Sequence, residues 1–167
     1  EFVFMFMGSL YYIHYPDFEV RHGNLETETS TYYPLEEDIY AKILVLRYLL
    51  NASVFPHNGE FRSYKELPFQ GRCISRMNRK FGSRLKKFKE IMECTGAVPV
   101  HLGDIGYELE LFEELYLRFI FWEGDEEFPA SSQILFSSNF PAAFGAYDLA
   151  EIGEICIHTF CAIEKQL

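Results

Sequence analysis

The chain is predicted to fold as an α+β domain, a mostly antiparallel sheet packed against about three helices. Short runs rich in aromatic and β-branched residues lie near the start and again after the middle. Between and after them come longer stretches whose apolar positions step by three and four. The resulting order is strands, helices, strands, helix, with no regular βαβ alternation. At 167 residues, 49% hydrophobic and 17% aromatic, residues 1–167 suit one domain with a substantial core.

The first strands fall at residues 2–7 and 10–15, separated by Gly8-Ser9, a dipeptide suited to a tight hairpin turn. Pro16-Asp17 marks another turn, and residues 19–21 return as a short strand. Residues 24–31 are polar and expected to be exposed. The opening has neither a basic leader nor a small-residue cleavage site, so it does not read as a secretory signal. It starts without Met inside an apolar run, which reads as a fragment that has lost an upstream segment.

Pro34-Leu35-Glu36-Glu37-Asp38 reads as a helix start, with Pro in the first turn and acids at the positive end of the dipole. Leu35, Ile39, Ile43, Leu46 and Leu50 form its expected inward stripe. A second helical stretch covers residues 72–93. Its apolar positions Ile74, Met77, Phe81, Leu85, Phe88 and Met92 keep one register through Gly82, which can divide it in two. Strands are expected at residues 97–101, 107–111, Leu115–Trp122 and 133–136. In the third of these, Leu115, Leu117, Phe119 and Phe121 form a pure core face. Asp148 and Glu151 are spaced as a capping pair for a closing helix with the stripe Leu149, Ile152, Ile155, Cys156, Phe160 and Ile163.

Charge is segregated. The formal net charge of −10 argues against nonspecific binding to nucleic acid or an anionic membrane. Eight of the 15 Lys and Arg nevertheless lie in residues 72–89, where no acid occurs. That window is +8 and the remainder, −10 less +8, is −18. Arg72, Arg76, Arg79, Lys80, Lys86 and Lys87 project opposite the apolar stripe, a face suited to an acidic protein or an anionic ligand. The same pattern also suits a solvated helix surface. No aromatics interleave with these cations, which argues against single-stranded nucleic acid.

A second candidate follows the strand Leu115–Trp122. Asp125, Glu126 and Glu127 form a compact acidic turn, with Asp125 and Glu127 about 7 Å apart on one side if extended. Two such carboxylates suit acid/base chemistry or a hard cation, joined by groups such as Asp104 and Glu108. The alternative is a solubilising turn that keeps two apolar strands from pairing with other chains. Trp122 and Phe128 bracket the acids and could wall a small pocket.

Other motifs are absent. Cys73, Cys94, Cys156 and Cys161 show no paired spacing and read as thiols of a reducing, cytoplasmic compartment. Cys156, His158 and Cys161 fan around a helix and cannot converge on one ion. No run is long and apolar enough for a membrane span. No nucleotide loop, nucleophile elbow or zincin helix is present, so no cofactor is identified.

Three segments, PLEEDIYAKILVLRYLL, NGEFRSYKELPFQG and LRFIFWEGDEEFPASSQILF, occur in this order. The chain thereby resembles the prokaryotic family called domain of unknown function 3786 over nearly its whole length. The resemblance implies a compact cytoplasmic domain of anaerobic bacteria and archaea. It further implies an accessory role near iron–sulphur or corrinoid proteins, since some relatives join an iron–sulphur module whose cysteines are missing here. Relatives tend to have Pro-Gly-Gly where this chain has Pro68-Phe69-Gln70-Gly71, and an Asp where it has Ser137. Two functions stand as expectations: a binding domain using the basic helical face, and an enzyme or metal-dependent site at Asp125, Glu126 and Glu127.

Overall fold

The computed structural model describes residues 1–23, 32–65, 67 and 69–167. The polar stretch 24–31 and Pro68 lie outside the described residues. The first strands, β1 (Phe2–Phe6), β2 (Ser9–Ile13) and β3 (Val20–His22), form an antiparallel sheet in sequence order. The β1–β2 turn is Met7-Gly8, one residue earlier than expected, with φ of 49° and 80°. Two positive φ values match the right-handed twist of a hairpin. Gly8 is required there because a Cβ would lie 2.3 Å from the Thr95 carbonyl oxygen.

The expected single helix from Pro34 is two: α1 (Pro34–Glu37) and α2 (Ile39–Asn51), with Asp38 extended between them. A short strand, β4 (Phe61–Ser63), follows. The basic stretch forms α3 (Gln70–Phe81) and α4 (Leu85–Cys94), broken after Phe81, and its apolar register does carry through the break. Met77, Phe81, Leu85, Phe88 and Met92 are all buried. Next come β5 (Val98–Pro99), β6 (Ile105–Phe112), β7 (Leu115–Trp122) and β8 (Ser131–Ser137). With β4 they form a five-stranded antiparallel sheet in the order β4-β8-β7-β6-β5. Leu115, Leu117, Phe119 and Phe121 are fully buried, as their alternation predicts. The Met7 amide joins the two sheets by donating to the Leu111 carbonyl at 3.0 Å.

After α5 (Phe140–Ala143), the closing helix α6 (Ala146–Glu164) runs through the middle of the helical layer. It begins two residues before Asp148, so the expected capping pair does not form; Asp148 instead pairs with Arg47. The predicted stripe is buried, and so are Ala150, Gly153, Ile157 and Thr159 on other sides. α6 is therefore covered by α2, α3, α4 and the sheet together. Phe160 contacts Phe88 of α4 and Phe119 of β7 edge-on, with centroids 5.9 and 5.1 Å apart. The fold is α+β.

The main correction concerns α2. Only Lys42, Arg47 and Asn51 of its 13 residues are polar, so the helix is apolar nearly all round. At ~100° per residue, Ile39, Ile43, Leu46 and Leu50 centre about 180° from Ala41, Leu44, Val45 and Tyr48. The second set is turned inward: Tyr48 stacks on Phe112 with centroids 4.1 Å apart, and Leu44 and Val45 are buried. Of the expected inward stripe only Leu35, in α1, is buried. Ile39, Ile43, Leu46 and Leu50 are 61, 42, 37 and 78% exposed.

α3 and α6 meet at Gly153, where a Cβ would come 2.5 Å from the Cys73 sulfur. Burial holds that thiol neutral, pushing its pKa up to about 12. Gly153→Ala should cost about 1–3 kcal/mol in urea unfolding through overpacking. Adding Cys73→Ala should make the pair less destabilised than the sum of the two single changes. Strict additivity would place the two helices farther apart.

Candidate functional site

A groove of about 510 Å³ opens where the α1–α2 junction meets α6 and α3. Asp38 builds its inner end. Its Oδ1 accepts from the Tyr40 amide at 2.8 Å, capping α2. Its Oδ2 accepts from Nδ1–H of His158, on α6, at 3.2 Å. The Asp38 side chain is 6% exposed and that of His158 55%. The buried carboxylate thus fixes the ring while Nε2 makes no hydrogen bond among the described residues. Across the groove Arg76 of α3 is paired with Glu154 of α6.

The remaining lining is acidic and aromatic. Glu37 and Glu151 add two further carboxylates, and Tyr40 and Tyr147 supply exposed rings. The charge of Glu151 and a hydrogen bond to it hold the Tyr147 phenol above its ordinary range. Burial raises the pKa of Tyr32, beside His158, with Asp38 and Glu37 adding to the effect. Counting ionised side chains, four carboxylates face one guanidinium. A smaller depression continues from the groove past Tyr40, Ile43, Arg47 and Tyr147. Another beside Tyr147 includes Phe69 and Ala150. The groove and both depressions share Tyr147, and the first two include Ile39 and Ile43 from the exposed stripe of α2.

The sequence-predicted residues lie elsewhere, apart from Arg76. On the basic face, α6 and neighbouring turns neutralise much of the charge. Arg76 pairs with Glu154, Arg84 with Glu164, and Lys87 with Glu90 at 2.8 Å. Arg72 lies over the Phe69 ring, 5.6 Å from its centroid. Arg79, Lys80 and Lys86 are exposed and make no side-chain ion pair among the described residues.

The acidic turn is a loop between β7 and β8, so its carboxylates do not alternate as in a strand. Asp125 Oδ1 accepts from the amides of Glu127 and Phe128 at 2.8 and 2.7 Å, closing the turn on itself. These two bonds hold the Asp125 carboxyl below its ordinary range. Glu126 and Glu127 are exposed, as are Trp122 and Phe128. Asp104 accepts from the Glu123 amide at 2.7 Å, and Glu108 pairs with Arg118, also at 2.7 Å. No group of three or more His, Cys, Asp or Glu is placed to hold a metal ion among the described residues. No helix among them is long and apolar enough to cross a membrane.

Ser137 and Gln70 carry packing roles. Ser137 is fully buried, accepts from the Tyr116 amide at 3.0 Å and donates to Asn139 Oδ1 at 2.6 Å. Gln70 reaches from α3 to donate to the Leu149 carbonyl of α6 at 2.7 Å.

The fold and groove define an α+β domain with an acidic, aromatic-walled cleft beside an exposed apolar helix. The chain belongs to the family described as domain of unknown function (DUF3786), whose model matches residues 1–159. No curated protein and no solved structure matches it.

Asp38→Ala removes the α2 cap and should cost about 1 kcal/mol of stability, whereas Glu127→Ala should stay within about 0.5 kcal/mol. Chemical denaturation at neutral pH distinguishes them. A depressed folded-state pKa means that Asp125 contributes stability above its unfolded value, lost as pH falls through the folded one. Asp125→Asn should therefore flatten part of the acid limb of the stability curve.

Proposed function

We propose that this chain is a cytoplasmic binding or accessory domain that docks a partner protein through the exposed face of α2 and the adjoining groove. One observation carries the reading. α2 is apolar on both sides but is covered on only one, leaving Ile39, Ile43, Leu46 and Leu50 in water. A helix apolar all round is normally covered on every side, and contiguous exposed apolar surface marks interaction sites. The surrounding rings of Tyr40, Tyr147 and Phe69 supply aromatic residue types enriched at protein–protein interfaces. The finer setting, accessory to iron–sulphur or corrinoid proteins in anaerobic prokaryotes, rests on the family resemblance.

The basic face is the second reading, narrowed to Arg79, Lys80 and Lys86, which are exposed and without an ion pair among the described residues and so favour an anionic partner. An acid/base or metal-dependent enzyme at Asp125, Glu126 and Glu127 has less support, because Asp125 already spends one oxygen closing its own turn.

Paired purifications from the native host test the docking reading. Wild-type protein should retain a partner, identified by native mass spectrometry, and Ile43→Asp with Leu46→Asp should lose it while circular dichroism is unchanged. Equal retention by the double variant, together with loss from Arg79→Glu with Lys80→Glu and Lys86→Glu, would transfer the function to the basic face.

A further inference from the structure

We propose that the occupant of this surface is a basic amphipathic helix of another protein, with its apolar side on α2 and its lysines or arginines over the acidic groove. The inference rests on the docking reading and adds the chemistry of the partner.

Shape supports a helix. Ile39, Ile43, Leu46 and Leu50 run the length of α2, about 17 Å at 1.5 Å per residue. That matches about three turns of a partner whose apolar residues step by three and four, the spacing by which helices pack ridge into groove. The flanking depressions beside Tyr147 give such side chains places to insert.

Charge supports a basic one. Around the groove Arg76 is answered by Glu154, and Arg47 by Asp148. Asp38 holds the His158 ring and the α2 amide. Glu37 and Glu151 remain without a cationic partner among the described residues, beside two exposed tyrosine rings that attract cations by their faces. Glu37 and Asp38 sit at the N-terminal end of α2 and share the groove with Glu151, whereas Arg47 lies toward the other end, so the partner's cations should cluster at the end of its helix that lies over the groove.

A second copy of this chain fits poorly. In a two-fold pair of α2 helices the acidic end of one copy meets the Leu50 end of the other, where Arg47 is already paired with Asp148, and each chain carries −10. Its cations Arg79, Lys80 and Lys86 do not line the groove.

Fluorescence anisotropy with synthetic helices tests this. The probe is a labelled 16-residue amphipathic peptide with Leu at three- and four-residue steps and Lys clustered at one end. Its counterpart has Glu for Lys. The full chain should bind the Lys peptide at least tenfold more tightly than the Glu peptide. Ile43→Asp with Leu46→Asp should weaken it tenfold or more, and Glu37→Gln with Glu151→Gln about three- to tenfold. Equal binding of both peptides, still lost in the apolar variant, would overturn the basic partner but keep the docking face. Binding that ignores the apolar variant, or no binding of either peptide, would overturn the docking face as well. A dimer in sedimentation equilibrium that Ile43→Asp dissociates would assign the surface to a second copy and overturn the inference.

Discussion

The crossing of α3 over α6 at Gly153 sets the rest of the helical layer. With no Cβ at that position, the Cys73 sulfur fills the space a side chain would take. Close packing of this kind tolerates little rearrangement. Gln70, one turn away on α3, ties the same crossing with a buried hydrogen bond to the Leu149 carbonyl. Arg76, one turn farther along α3, is thereby brought to Glu154, just past the contact on α6. The same orientation of α6 places Tyr147, Glu151 and His158 along the groove and turns Phe160 toward the sheet. Structure and groove thus share one cause.

α2 takes its place from the other side of the groove. Asp38 interrupts the helical run, caps α2 and reaches His158, so one side chain fixes both the start of the helix and its attachment to α6. Tyr48 stacked on Phe112 fixes its rotation near the other end. Those contacts turn Leu44 and Val45 inward and leave the opposite apolar stripe in water. The exposed stripe is consequently the reverse side of a well-packed helix rather than loose structure.

Periodicity made α3 and α4 legible because each has one apolar side strong enough to choose its own orientation. In α6 the predicted stripe is buried but so are residues on its other sides, so the period located the helix without showing how fully it is covered. Residues 74, 77, 81, 85, 88 and 92 left no competing stripe. The alternation of Leu115–Trp122 worked for the same reason. In α2 the stripe through Ile39 and the one through Leu44 both fit a 3.6-residue period, and only tertiary partners decide between them. The groove was illegible for a related reason: Asp38 and His158 are 120 residues apart, and no short motif joins them. A Pro-led helix start ending in Asp was visible, but its second duty was not. The acidic turn was legible as a turn. Its functional promise rested on extended geometry that the Asx-type bonds of Asp125 replace. The basic face was visible as composition, while its neutralising carboxylates Glu154 and Glu164 came from a distant helix.

The rotation of α2 is the claim on which the docking surface stands. Methyl relaxation enhancement by a neutral, soluble gadolinium chelate measures it directly, residue by residue, in the free protein. With α2 oriented as described, the Ile39, Ile43, Leu46 and Leu50 methyls should broaden strongly and Leu44 and Val45 should be protected. The reverse pattern, with Leu44 and Val45 broadened and the other four protected, would mean that the helix is turned half-way round and that the stripe from Ile39 to Leu50 is not the face free to dock.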